Sequence, residues 1–362
     1  MKVAIVHYWL VNMRGGEKVL EALCELYPQA DIYTHVYDPK NISKTIKKHQ
    51  IKTTFIQRLP KASKWYQNYL PLMPIALSFL NLKKYDLVIS SESGPAKGVR
   101  LNKSAMYICY CHSPMRYVWD LFDEYFRSVG LFKKMMMLIC MKPLRIWDRW
   151  TSKRVNQFVA NSTTVQKRIL DCYQRDSVVI HPPVDIDYFQ IQEPVSDYYL
   201  LFGQLIQYKR PDLAIEAFNQ SGRKLVVIGQ GGMLEGLKKL AKPNIQFLGR
   251  LDDVAIKRYL AHCKALVFPG LEDFGIVPVE VMACGRPAIA FGQGGVLDTV
   301  VDGKTGIYFR EQTAQSLNEA IDQYEKSLNQ FNPQAIREWT YKFSKNQFQN
   351  KFEELVDRLI KN

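Results

Sequence analysis

With 362 residues, 47% of them hydrophobic and 23% charged, the chain is long enough for two domains and too apolar for a disordered protein. Its seven cysteines include no C-x-x-C pair, only Cys109 and Cys111 as a weak C-x-C, so a reduced cytosolic setting is expected. The formal charge of +14 is uneven: residues 1–194 hold 28 Lys and Arg against 16 Asp and Glu, and residues 195–362 hold 21 against 19. A basic half points to nucleic acid, an anionic membrane or an anionic substrate. No zinc finger or RNP-type motif is visible, which favours the last two.

The N-terminus, M-K-V-A-I-V-H-Y-W-L, has too short an apolar core for a signal peptide and reads as a first strand. A loop ending R-G-G-E-K follows, then an amphipathic helix to Leu26 with Val19, Leu20, Leu23 and Leu26 at helical spacing. Gly15 and Gly16 let a ligand approach the backbone, or they form an ordinary tight turn. Between Trp65 and Leu82 an apolar stretch is broken by Pro71 and Pro74. Asp86–Ser90 and Ala105–Tyr110 read as strands, and the second runs into C-H-S-P-M-R-Y-V-W-D. His112 therefore follows a strand's C-terminal end, where α/β sheets bind ligands; a structural histidine fits the same position.

Leu131–Trp150 has an apolar centre, Met135–Met141, far too short to span a bilayer. Lys133, Lys134, Lys142, Arg145 and Arg149 flank it, with Trp147 and Trp150 nearby. That mixture suits the headgroup boundary of an anionic membrane, and equally a buried helix with a solvated basic edge. Two more strands, Asn156–Asn161 and Ser177–His181, lead through P-P-V-D to Glu193-Pro194, the expected domain boundary.

The second half repeats strand, loop and helix five times, with strands at Tyr198–Phe202, Lys224–Ile228, Ile245–Leu248, Ala265–Phe268 and Ala288–Phe291. That is a doubly wound parallel domain. The most informative loop and helix run from Pro269 to Pro287, P-G-L-E-D-F-G-I-V-P-V-E-V-M-A-C-G-R-P. A helix starts near Ile276, takes Pro278 in its first turn and ends at Gly285. Its N-terminus is an anion site, bracketed by Glu272 and Glu280. Phosphate there with hydroxyls on the acids would describe a sugar nucleotide; two solvated acids favoured by the helix dipole are the plainer alternative.

Taken together these segments resemble the retaining glycosyltransferases of family 4, with the two-Rossmann-domain GT-B fold. The most specific match is Glu272 to Glu280, the family's E-x7-E with F-G inside it. G-Q-L-I-Q-Y-K-R-P-D-L-A-I-E-A-F, V-I-H-P-P-V-D, N-S-T-T-V-Q-K-R-I and G-G-V-L-D-T-V-V-D-G-K-T-G add to it. R-G-G-E-K and C-H-S-P-M-R-Y-V-W-D look most like the mannosyltransferase branch of O-antigen and exopolysaccharide synthesis.

The resemblance implies an α/β, GT-B architecture of two Rossmann-like doubly wound domains facing a cleft. Residues 1–194 would be the acceptor and membrane side, 195–340 the nucleotide-sugar side, and 341–362 a helix returning to the first domain. It implies His112, Lys209 and Glu272 as catalytic. Donor binding would fall to Gly15, Gly16, Gln204, Lys209, Arg210, Phe274, Gly275, Ile276, Val277 and Glu280, with Glu280 on the ribose. Arg116, Lys133, Lys134, Lys142 and Arg145 would face membrane or acceptor.

The implied donor is GDP-mannose, used as co-substrate with no cofactor and no metal. The implied acceptor is a polyprenyl-diphosphate-linked saccharide, with the protein peripheral on the inner face of the cell membrane and binding no nucleic acid. Two positions depart from the family: Gln204 stands where Arg is common, and Asp298 where Glu is. The rival readings are a sugar-nucleotide epimerase or phosphorylase on the same fold, and a basic non-enzymatic scaffold.

Overall fold

Strands of a parallel sheet are covered on both faces and need continuous apolar runs. The computed structural model contains thirteen parallel strands among the residues it describes, which are 1–120, 122, 126 and 130–361, without the side chains of 132 and 133, and most of them are such runs. They form two sheets in two compact units, residues 1–183 with 348–362, and residues 184–347.

In the first unit the strands are β1 (Val3–His7), β2 (Asp31–Thr34), β3 (Ile51–Thr53), β4 (Leu87–Glu92), β5 (Met106–Cys111), β6 (Gln157–Ala160) and β7 (Ser177–Val179). Their order is β3-β2-β1-β4-β5-β6-β7, all parallel, so the winding reverses between β1 and β4. The second unit repeats the plan with β8 (Tyr199–Phe202), β9 (Leu225–Ile228), β10 (Ile245–Gly249), β11 (Leu266–Phe268), β12 (Ala288–Phe291) and β13 (Gly306–Phe309). Its order, β10-β9-β8-β11-β12-β13, reverses between β8 and β11. In open α/β sheets ligands sit at the strand carboxyl ends beside such a reversal.

Helices cover both sheets. Helix α1 (Gly15–Leu26) buries Val19, Leu20, Leu23 and Cys24. Helix α2 (Leu131–Ser152) is anchored through its second half: Leu144 packs with Met115 and Val118, and Asp148 is fully buried. Asp148 accepts hydrogen bonds from Trp119 Nε1 at 2.8 Å and Tyr173 hydroxyl at 2.8 Å, and pairs with Lys97. Lys97 also meets Glu92 at 2.5 Å, with neither side chain exposed. Burial opposes the Lys97 charge, but Asp148 and Glu92 outweigh it and hold the ammonium protonated. Burial pushes the Glu92 carboxyl up to about 7, although Lys97 pulls it down.

The units divide the chain earlier than the Glu193-Pro194 step. Val184, Ile186 and Phe189 are buried in the second unit's core, and Arg337 donates to the carbonyls of Phe189 (2.5 Å) and Ile186 (3.3 Å). The return also starts later than residue 341. Phe343 is buried against Phe274, whereas Phe348, Phe352, Leu355 and Val356 of the last helix (Lys345–Lys361) lie in the first unit's core.

Candidate active site

The second unit builds its site from the loops after β8 and β11, the strands flanking the reversal. After β8 the chain turns at Gly203 (φ +145°) and passes Gln204 and Leu205 to a short 3-10 turn, Gln207–Lys209. Arg210 adopts φ +50° there, and Pro211 opens helix α4 (Pro211–Ser221), where a missing N–H costs nothing. After β11 come Pro269, Gly270 and Glu272. A Cβ on Gly270 would lie 2.7 Å from Lys209 Cα, so only glycine lets these backbones touch. Gly295 braces the second loop: its N–H donates to Glu272 O at 2.8 Å, and a Cβ there would overlap Asp273 O and Phe274 Cα.

The result is a small crevice lined by Leu201, Phe202, Gly203, Gln204, Leu205, Lys209, Pro211, Phe268, Pro269, Gly270 and Glu272. Lys209 Nζ and Glu272 Oε1 meet at 2.7 Å across it, each side chain about a fifth exposed. An ammonium has three donors, so Lys209 can keep Glu272 and still reach an anion. Arg210 is turned toward its own helix start, with Nε 3.0 and 3.2 Å from the two Asp212 carboxylate oxygens.

Gly275 (φ +87°) caps the helix over Ile276–Ala283, here α7, as the glycine and proline pattern predicts. Val279, Val281, Met282 and Ala283 are buried, so α7 is embedded and its axis is fixed. Ile276, Val277 and Glu280 stay half-buried on its first turns, and Phe274 is buried as part of the core. The one D-x-D of the chain, Asp185-Ile186-Asp187, is a turn, in which Asp185 Oδ1 accepts the Tyr188 N–H at 3.3 Å. Among the described residues no three His, Cys, Asp or Glu side chains gather as a metal site.

The first unit carries a second polar cluster at its own reversal. His112 Nε2 lies 2.9 Å from Ser91 Oγ at the end of β4, and Ser91 Oγ lies 3.0 Å from His7 Nδ1 at the end of β1. His7 Nε2 faces Glu17 Oε1 at 3.7 Å in the first turn of α1. A Cβ on Gly16 would overlap the Tyr8 hydroxyl and lie 3.5 Å from His112 Nε2, so close packing in this cluster favours glycine there. Part of His112 reaches the surface, but its ring is packed against Tyr110 (5.1 Å between centroids) and Tyr8 (6.3 Å). Burial, with a smaller push from His7, lowers its pKa to about 3, so His112 is neutral at pH 7.

Family models match both units. The model of glycosyltransferase family 4 covers residues 13–188, and that of glycosyl transferases group 1 covers residues 186–338. The chain belongs to glycosyltransferase family 4. An alpha-1,3/1,6-mannosyltransferase, ALG2 of Dictyostelium discoideum, is 24% identical over 293 residues, which are 65% of this chain and 66% of that protein. The chain thus spans about two thirds of that relative's length.

Among solved structures, HepE of Anabaena in complex with UDP superposes with a TM-score of 0.71 at 16% identity, over 99% of this chain and 100% of that one. A lipopolysaccharide outer core galactosyltransferase, WaaB, gives 0.71 at 15%, over 99% of each chain. These likenesses establish the GT-B fold.

Within this family 4 chain, Lys209, Gln204 and Glu272 share one crevice in the second unit, and Gly16 and His112 share one cluster in the first. Sequence reasoning singled out neither His7, Ser91 nor Glu17. A histidine ending β1 beside R-G-G-E-K was the available signal.

The basic residues near α2 divide. Lys142 is exposed, whereas Arg145 donates to Val118 O at 2.7 Å and Arg116 pairs with Asp120 at 3.3 Å. Lys134 lies over the Phe126 ring at 5.5 Å, and the Lys133 side chain lies outside the described residues. The exposed apolar side chains are more extensive: Leu131, Met135, Leu138, Ile139, Ile146 and Trp150. No helix among the described residues is long and apolar enough to cross a membrane.

Proposed function

We propose that the chain is a retaining glycosyltransferase that moves mannose from GDP-mannose to a lipid-linked saccharide in surface polysaccharide synthesis. The Lys209–Glu272 pair in the β8/β11 crevice carries this reading. In the reaction the bond from the anomeric carbon to the diphosphate breaks. A bond from the same face to an acceptor hydroxyl oxygen forms, and the hydroxyl proton leaves with the released diphosphate. Charge therefore builds on the leaving group, where the Lys209 ammonium and the N–H groups opening α7 stabilise it. Glu272 accepts hydrogen bonds from hydroxyls of the transferred sugar, and Glu280 from the ribose. Gly15, Gly16 and His112 are assigned to sugar hydroxyls.

Mannose is favoured by the mannosyltransferase activity of the ALG2 relative, and a lipid-attached product by the WaaB fold neighbour. The exposed apolar side of α2 favours peripheral binding to a membrane, with apolar contact contributing more than charge because Arg116 and Arg145 already have protein partners. A UDP-sugar is the second reading, favoured by the HepE complex with UDP.

A thermal-shift panel of UDP-, GDP-, ADP- and TDP-sugars tests the donor. A rise in Tm confined to GDP-mannose, abolished by Glu272→Ala, is the expected result. A rise with UDP-sugars instead replaces the donor, and no rise with any sugar nucleotide refutes the site.

A further inference from the structure

The polar chain at the β1/β4 reversal contains one hydroxyl between two histidines, and that arrangement fixes where protons sit. Ser91 Oγ lies 3.0 Å from His7 Nδ1 and 2.9 Å from His112 Nε2, and it has a single hydrogen. It donates to one ring and accepts an N–H from the other. His7 and Ser91 are fully buried and Glu17 is 2% exposed, so solvent supplies no alternative partner. His7 Nε2 has no hydrogen-bond partner among the described residues other than the looser approach of Glu17 Oε1 at 3.7 Å. Glu17 Oε2 accepts the Arg14 N–H at 2.9 Å, and the residue sits in the first turn of α1, where the helix dipole favours a carboxylate.

With neutral rings two arrangements satisfy Ser91. In one, Ser91 donates to His112 Nε2 and accepts from His7 Nδ1–H. That leaves the His7 Nε2 lone pair facing a carboxylate oxygen in a buried site, two acceptors with nothing between them. In the other, Ser91 donates to His7 Nδ1. His7 then carries its hydrogen on Nε2, directed at Glu17, and Ser91 accepts from His112 Nε2–H. Only the second places opposite partial charges together, and in a low-dielectric interior that difference is amplified.

We propose that Glu17, acting through His7 and Ser91, fixes His112 in its Nε2–H tautomer and so presents His112 Nδ1 as a hydrogen-bond acceptor for a hydroxyl of a bound saccharide. The tautomer follows from the cluster alone; the word saccharide rests on the glycosyltransferase reading. Glu17, His7 and Ser91 are positioning residues, and a ring held this way takes a hydroxyl hydrogen without needing to be reoriented. The other groups facing the cluster, the Tyr8 hydroxyl and the Tyr110 hydroxyl that donates to Ile180 O at 2.8 Å, leave this pattern intact.

The test is nitrogen NMR of the full chain labelled with 15N-histidine, with His112 assigned by the signals lost in His112→Gln. The expected spectrum shows His112 protonated on Nε2 and bare on Nδ1. His112 protonated on Nδ1, or a doubly protonated His7 donating to Ser91, overturns the proposal. Ser91→Ala is expected to mix the His112 tautomers, and Ser91→Thr, which keeps the hydroxyl, to retain one. In transfer assays Ser91→Ala is expected to lose about tenfold in kcat/KM, the worth of one hydrogen bond, and Ser91→Thr to recover most of it. Unchanged transfer in Ser91→Ala overturns the saccharide role. Failure of the glycosyltransferase reading is separate: wild-type protein would then consume no sugar nucleotide, while the tautomer remains measurable.

Discussion

Replacing Lys209 with methionine keeps the side chain's apolar length and removes only its charge. In the folded protein that breaks one ion pair, 2.7 Å to Glu272 Oε1, in which each partner is about a fifth exposed. Water can reach the bared carboxylate, so the expected loss of stability is about 1 kcal/mol or less. For a unit of this size that is a fall in Tm of about 2–4 °C. Transfer is a different matter. The ammonium is assigned to charge that appears only as the diphosphate leaves, and one such group supplies about 2.7–4 kcal/mol, or 10²–10³ in kcat.

The assay is kcat and KM for the sugar nucleotide with Tm recorded on the same preparation. The expected result is a 10²–10³-fold loss in kcat with a Tm within a few degrees of wild type. A variant keeping kcat within about threefold refutes the assignment. A variant losing activity together with a Tm fall beyond about 8 °C refutes it too, because Lys209 would then be holding the loop.

Gly295→Ala forces a Cβ onto Asp273 O and Phe274 Cα, so overpacking of about 1–3 kcal/mol and loss of donor-induced stabilisation are expected together by thermal shift. Lys97→Met leaves two buried carboxylates without a cation, an expected cost of about 3–5 kcal/mol by denaturant unfolding, and smaller at pH 5 than at pH 8 because the carboxyls can then protonate. His35, whose ring nitrogens bond Thr54 Oγ1 and Pro95 O, is lowered by burial to about 4. Its stabilising contribution is complete above the unfolded value of about 6.5 and is lost as pH falls toward 4, about 2 kcal/mol by pH 5. His35→Gln is expected to flatten that part of the stability profile, while Glu92, held up to about 7, works in the opposite sense. Ile139→Glu on the exposed side of α2 is expected to reduce liposome co-sedimentation severalfold with little change in Tm; unchanged binding removes α2 as the membrane contact.

How legible the site was depended on distance along the chain. The α7 stretch could be read closely because its punctuation is local: Gly275 with positive φ, Pro278 in the first turn, Gly285 after the last. Lys209 and Glu272 are distant in sequence, and only the β8/β11 reversal together with the bare backbone of Gly270 brings them to one crevice. His7 and Ser91 are 84 residues apart, and no short-range pattern joins them.

Three strands escaped for a related reason. β2 reads D-I-Y-T and β3 reads I-K-T, too short and polar for an apolar run, and β13 is four residues hidden behind G-K-T. The basic residues of α2 were legible as a group, but the partner of each was not. Helical spacing says which side chains share a face, whereas Arg145 reaches back to the Val118 carbonyl across a loop that spacing does not describe.

The stereochemistry of transfer is read at the anomeric carbon of the product. With radiolabelled GDP-mannose and a polyprenyl-linked saccharide, wild-type protein is expected to give a mannosylated lipid whose new linkage keeps the donor's anomeric configuration, and Lys209→Met to give almost none. Inverted product, or no consumption of any sugar nucleotide with a range of lipid-linked acceptors, would contradict it.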